Sequence, residues 1–298
     1  REGAVKERTR QNFLLCAMLK DPVQSFPKAL SMESLLKNAH RVVVKVGSAL
    51  VTNDGRGLDI QAIERWATQI AELQKMGREV ILVSSGAIAE GVLRLGWEKR
   101  PSHVHQLQAA AAVGQMGLVE AYERHFRNHG IGTAQVLLTH QNLTDREQYL
   151  NARMTIRELL RLGIVPVINE NDTVATDEIT SIGDNDTLAA IVTCCIKADL
   201  LVLLSDIDGL YTANPHTHPD AKLIPLVEDI TPEVMALADG AGSALGTGGM
   251  STKLRAARMV TSSGADMVIA NGAHPELLYD IAEGRAAGTR FAAHRQEA

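Results

Sequence analysis

Two lysines far apart in the chain stand in settings that suit phosphate. Lys45 closes a run of β-branched residues, Val42-Val43-Val44-Lys45-Val46-Gly47-Ser48. Lys253 ends a glycine-rich turn, Gly246-Thr247-Gly248-Gly249-Met250-Ser251-Thr252-Lys253, that runs straight into a helical pattern. A cation at a strand end and a glycine-rich turn at a helix start both present positive charge and backbone N–H groups to a polyphosphate. Two lysines rather than one suit charge that must be cancelled in a transition state. Gly47 would let the backbone approach a phosphate closely. Read singly, Lys45 is equally a lysine snorkelling beside a turn glycine, and the later turn could be a plain flexible loop. It is not a Walker A loop, because Gly-x-x-x-x-Gly-Lys-Ser/Thr occurs nowhere in the chain, and Gly-x-Gly-x-x-Gly does not follow the first strand.

Three further segments carry polar groups where strands should end. In Val83-Ser84-Ser85-Gly86-Ala87-Ile88 a strand runs into two hydroxyls and a glycine before a helix, which suits a carboxylate or phosphate, or an ordinary serine cap. Asn169-Glu170-Asn171-Asp172 and Gly183-Asp184-Asn185-Asp186 are dense in carboxylates and amides. Such loops could hold a zwitterion, carboxylate to its ammonium and amide to its carboxylate, while Asp184 and Asp186 could pair with the two lysines. The same residue types also serve turns and caps. Ser205 and Asp206, in Leu204-Ser205-Asp206-Ile207-Asp208-Gly209, follow the most apolar strand and suit a ribose or adenine contact. No Gly-x-Ser-x-Gly elbow appears, which disfavours a serine hydrolase. The ten histidines form no zinc-like set.

The elements that must position these groups alternate. Strands are expected at Arg41–Val46, Glu79–Val83, Ala134–Leu138, Val165–Asn169, Leu200–Ser205 and Met267–Ala270. Helices are expected between them. One carries Ile63, Trp66, Ala67, Ile70 and Leu73 and stops at Gly77. Another spans His103–Phe126, with a bend near Gly114 and Gly117. Thr144-Asp145-Arg146-Glu147 reads as a capping box that opens a third, ending at Gly163. Asp186–Ile196 and Ser251–Ser263 complete the set, and Thr231-Pro232 marks one more helix start. Strands alternating with helices imply an α/β fold with a mostly parallel sheet.

Composition agrees. The chain has 298 residues, 45% apolar, with only 3% aromatic, so Val, Ile, Leu and Ala must fill the core, as in buried parallel strands. A net charge of −5 gives no electrostatic case for nucleic acid. No apolar run reaches the roughly 18 residues a membrane span needs. Cys16, Cys194 and Cys195 fit neither a disulfide framework nor a metal spacing, which suits a reducing cytoplasm. Residues 1–38, charged and broken by Pro22 and Pro27, read as an N-terminal extension, flexible in character, ahead of one domain over 39–298.

Taken together, these motifs resemble the amino-acid kinase family, and within it the glutamate 5-kinase branch. The resemblance covers roughly residues 40–290 and rests on the segments quoted above together with Asp145-Arg146-Glu147, Asn151-Ala152-Arg153 and Pro166-Val167-Ile168. It implies a three-layer α/β/α sandwich with a mainly parallel central sheet, an N-terminal lobe that binds glutamate and a C-terminal lobe that binds ATP. The implied reaction is ATP-dependent phosphorylation of the L-glutamate side-chain carboxylate, with Mg2+ carried on the nucleotide and no protein-held metal. By motif, Lys45 and Lys253 would stabilise the transferring phosphoryl group, and Asp186 with Asp184 would hold them. Gly47 and Gly86 would offer backbone donors, and Ser48 a hydroxyl. Ser85, Asp172, Asn185 and Asn169 would bind glutamate. Ser205, Asp206, Thr247, Gly248, Gly249, Met250, Ser251, Thr252 and Lys253 would bind ATP. The resemblance further implies proline as a feedback inhibitor and a homo-oligomer (dimer or tetramer); charge and hydropathy lead to no expected nucleic-acid or membrane partner, and no C-terminal PUA domain, which some relatives carry, is expected from the length of the sequence. Ser48, Ser84 and Ser205 stand where many relatives have threonine, Asn214 where aspartate is common, and Thr180-Ser181-Ile182 makes the loop before Gly183 slightly longer. The chemistry is coherent: a side-chain carboxylate with a pKa of about 4.3 is already ionised at neutral pH and needs no general base.

Overall fold

Alternation along the strands sets the architecture. In β1 (Arg41–Val46), Val42, Val44 and Val46 pack into one apolar cluster while Val43 packs into another, so the strand is buried on both faces. The same parity runs through β2 (Glu79–Val83), β4 (Val165–Glu170), β5 (Leu200–Ser205) and β7 (Asp266–Asn271), and the two clusters are the two faces of one sheet. This computed structural model describes residues 37–175, 185–215, 217–239, 249–285 and 287–294.

With β3 (Thr133–Leu138), β6 (Leu226–Val227) and β8 (Thr289–Phe291), the sheet order is β3-β4-β2-β1-β5-β7-β8-β6. Every pairing is parallel except β7 with β8. The chain builds outward from β1 through β2, and later returns to pair β5 on the other side of β1. Strand order therefore reverses at β1, and the crevice beyond its carboxyl end is where open α/β sheets take ligands.

Helices cover both faces. On one side lie α2 (Ile60–Lys75), α4 (Val104–Arg127) and α10 (Leu277–Ala282), contributing Ile63, Trp66, Ile70, Leu118, Tyr122, Phe126 and Ile281 to the core. On the other lie α6 (Arg146–Arg161), α7 (Asn185–Ile196) and α9 (Met250–Ser262), contributing Ile156, Leu160, Ile191, Leu254 and Val260. Short helices α1 (Ser48–Val51), α3 (Ala87–Arg94), α5 (His140–Thr144) and α8 (Pro232–Asp239) fill the connections. The expected three-layer sandwich is what forms. None of the described helices is long and apolar enough to cross a membrane.

Three details differ from the sequence reading. The helix start expected at Thr144 belongs to Asp145, whose carboxylate accepts from the Gln148 N–H at 2.9 Å. Thr144 instead ends α5, a one-turn helix whose own capping box joins Thr139 and Asn142. The inserted turn leaves Asp145 extended, the backbone state an N-cap needs. Second, α4 runs unbroken through Gly114 and Gly117. These glycines serve close approach: a Cβ at Gly114 would overlap the Ala87 carbonyl of α3, and one at Gly91 would overlap the Ala110 carbonyl of α4. Third, β6, β8, α1 and α10 were not expected; none is longer than six residues, too short for any periodicity to show.

Candidate active site

Lys45 shares the face of Val43, so its side chain enters the layer that holds α7 and α9. There Asp186, in the first turn of α7, and Lys253, in the first turn of α9, meet it. Lys45 Nζ donates to Asp186 Oδ1 at 2.6 Å and Lys253 Nζ to Asp186 Oδ2 at 3.0 Å. One carboxylate thus bridges two ammonium groups drawn from opposite ends of the chain, and all three side chains are buried. Burial alone would raise the Asp186 carboxyl. The charges and hydrogen bonds of Lys45 and Lys253 overcome that and hold it well below the usual carboxylate range. Among the described residues two ammonium tips thus meet on one carboxylate at the mouth of the switch-point crevice.

The turn that delivers Lys253 is capped by Gly249, in extended backbone, with Met250 and Ser251 half-buried behind it. Thr252 Oγ1 lies 2.8 Å from the Gly249 carbonyl and 3.3 Å from Asp186 Oδ2, tying the helix start to the ion cluster. Thr247, Gly248 and Asp184 lie outside the described residues. Ser205 ends β5, the neighbour of β1, and its hydroxyl donates to the Asp206 carboxylate at 3.0 Å.

Beside β1 a layer of amides and hydroxyls lies at the ends of β2 and β4. Gly86 caps α3 in the left-handed region (φ 91°), where a Cβ would come within 2.7 Å of the buried Thr52 side chain. Asn185 Nδ2 donates to the Ser84 carbonyl at 2.6 Å and to Asn169 Oδ1 at 2.8 Å, and lies 3.4 Å from Ser85 Oγ. The Ser85 hydroxyl donates to the Val46 carbonyl at 3.0 Å. Asn169 Nδ2 donates in turn to Gln115 Oε1 at 2.9 Å. Ser84 Oγ and Tyr122 Oη are 3.1 Å apart, and burial pushes the Tyr122 phenol up to about 12. Asp172 lies two residues beyond β4, half-buried. Its charge favours the protonated form of Arg100, against the burial that lowers that guanidinium.

The sequence-derived residues Lys45, Asp186, Lys253, Ser85, Asn169 and Asn185 therefore come together around the carboxyl ends of β1, β2 and β4. Gly47 differs from expectation in one respect. Its N–H, expected as a donor to phosphate, donates to the Leu204 carbonyl at 3.1 Å. Gln115, Tyr122 and Thr52 were not singled out from sequence. Gln115 and Tyr122 are polar groups on an apolar face of α4, and seven-residue spacing is the signal that could have found them.

The profile of the amino acid kinase family matches residues 40–271, the span that contains both lysines and the bridging aspartate. The chain belongs to the amino-acid kinase family. Among curated relatives of this family, the chain is 59% identical over 264 residues to the glutamate 5-kinase of Ralstonia nicotianae, covering 89% of this chain and 70% of that one. It is 59% identical over 262 residues to the glutamate 5-kinase of Laribacter hongkongensis, covering 88% and 70%. Among solved amino-acid-kinase-like folds, a carbamate kinase from Giardia lamblia bound to AMP-PNP superposes with a TM-score of 0.60 at 18% identity, over 86% of this chain and 99% of that one. At that identity the likeness speaks for the fold.

Proposed function

We infer that this chain is a carboxylate kinase that transfers the γ-phosphoryl group of ATP to the side-chain carboxylate of L-glutamate, releasing ADP and L-glutamyl 5-phosphate, the first step of proline biosynthesis. The observation that carries the reading is the meeting of Lys45 and Lys253 on Asp186, in a chain 59% identical to glutamate 5-kinases. The obstacle to this reaction is repulsion between an anionic nucleophile and an anionic phosphate. The oxygen of the carboxylate forms the new bond to phosphorus as the bond to the ADP oxygen breaks. No proton has to be removed from the nucleophile, so catalysis is positioning and charge stabilisation. Lys45 and Lys253 would neutralise the transferring group from two sides, and Asp186 would fix their separation before ATP arrives.

The polar layer of Asn169, Asn185 and Ser85, with Asp172 nearby, would hold the amino acid. Ser205, Asp206 and residues 247–253 would hold the nucleotide. Mg2+ would be carried on the nucleotide's own phosphate oxygens, where it would offset phosphate charge. Proline as a feedback inhibitor and a homo-oligomeric assembly accompany this reading. The buried thiols of Cys194 and Cys195 suit a reducing cytoplasm. A coupled assay of ADP release with glutamate, aspartate and acetylglutamate in parallel tests it. Turnover with glutamate well above the other two is expected, and preference for either alternative would overturn the assignment.

A further inference from the structure

The amide groups near the crevice form a chain that crosses all three layers. Gln115 belongs to α4 on one face of the sheet, Asn169 to β4 within it, and Asn185 to the first turn of α7 on the opposite face. Asn169 shares the parity of Val165 and Val167, both packed on the α4 side, so its side chain leaves the sheet toward Gln115. Asn185 then reaches across the strand ends to meet Asn169 Oδ1.

The direction of every bond in this chain is fixed by two backbone groups. The Ser84 carbonyl can only accept, so the atom of Asn185 facing it at 2.6 Å must be Nδ2. The Glu170 N–H can only donate, so the Asn169 atom it meets at 2.9 Å must be Oδ1. Asn169 therefore turns Nδ2 toward α4, where an acceptor is required, and Gln115 supplies Oε1 at 2.9 Å. Gln115 Nε2 is then left to donate to Gln135 Oε1 of β3 at 3.3 Å. Both Nδ2 hydrogens of Asn185 are accounted for by Ser84 and Asn169, so Oδ1 is the atom Asn185 can offer a ligand. An acceptor there suits the ammonium group of an amino acid.

We infer that Gln115 is a positioning residue for the amino-acid substrate: by accepting from Asn169 Nδ2 it holds Asn169 in the orientation that the Glu170 N–H and Asn185 also require, and so steadies the face that Asn185 presents in the crevice. Gln115 is itself buried, and its side chain bonds to Asn169 and Gln135, so its influence falls on the acceptor side of the reaction. Tyr122, about two turns further along the same face of α4, steadies the other anchor through Ser84. The inference rests on the reading of Asn169 and Asn185 as the glutamate side of the site.

The test replaces Gln115 by methionine, which keeps the length and removes the acceptor, and by glutamate, which keeps an acceptor for Asn169. Gln115→Met should raise the glutamate KM about tenfold, the loss expected when one buried hydrogen bond is left unmade, with the ATP KM and kcat within about threefold. Gln115→Glu should bring the glutamate KM back to within about threefold of the parent. If Gln115→Met does not fold, Gln115→Asn, which withdraws the amide by one methylene, should give the same rise. Equal changes in both KM values, an unchanged glutamate KM, or no difference between the methionine and glutamate variants would each overturn the positioning role. An unsubstituted chain that fails to phosphorylate glutamate would instead remove the functional reading beneath it.

Discussion

Two halves of one crevice solve different problems with different chemistry. At the ends of β1, α7 and α9 the groups are charged, with two ammonium tips on one carboxylate. At the ends of β2 and β4 the groups that link up are uncharged, a relay of amides held by backbone at Asn169 and Asn185. A shared ion cluster can respond when phosphate arrives, because the lysines can exchange one anionic partner for another. A relay of neutral amides whose orientation is fixed by backbone groups has one arrangement, which suits recognition of a small ligand of fixed shape. The contrast separates a half that changes partners during reaction from a half that does not.

The sharpest way to break this contrast is at Asp186. Asp186→Asn should lower kcat on the order of 10³-fold or more by releasing both lysines. It should also cost about 3 kcal/mol of stability in denaturant unfolding, because buried ammonium groups lose their partner. Saturating ATP should restore more stability to this variant than to the parent, and equal restoration would show that the nucleotide does not take the carboxylate's place. Lys253→Ala should lower kcat about 10³-fold while the glutamate dissociation constant stays within threefold. A parallel loss of glutamate binding would merge the two halves. On the amide side, Asn185→Ala should raise the glutamate KM about 10- to 100-fold and leave ATP binding, read by calorimetry, unchanged.

A smaller effect is expected from pH. Asp186 is depressed in the folded protein, so its stabilising contribution is fully present above the unfolded carboxylate pKa of about 4 and is lost as pH falls through the lower folded value. Urea midpoints measured from pH 5 downward should therefore fall more steeply in the parent than in Asp186→Asn. Superimposable profiles would mean that the bridge contributes nothing to acid sensitivity.

Much of this was legible in the chain because the strands that matter are buried on both faces. Val42–Val46 and Leu200–Ser205 admit no other reading as elements, and the polar residues that end them fall by necessity at the carboxyl edge of a parallel sheet. The two lysines could be suspected of meeting, because each sits where such an edge gathers ligands. What stayed hidden depends on tertiary placement. Gln115 lies in an alanine-rich helical stretch where a polar residue reads as solvent-facing unless its seven-residue spacing to Tyr122 is weighed, and the packing of α4 turns it inward. Gly114 reads as a hinge in the sequence, whereas its reason is the carbonyl of another helix. The Asp145 cap was misplaced by one residue because α5 is too short to announce itself.

The seam between α3 and α4 bears on attempts to improve this protein. Exchanging a helical glycine for alanine is a common stabilising substitution, worth up to about 1 kcal/mol where the backbone allows it. Gly91 and Gly114 look like ideal candidates on paper, since both lie inside helices at ordinary angles. At each, the added methyl would strike main chain that cannot rotate aside. Either exchange would wedge the pair open and carry Ser84–Gly86 with it, so a thermostability programme should leave both glycines alone and search elsewhere.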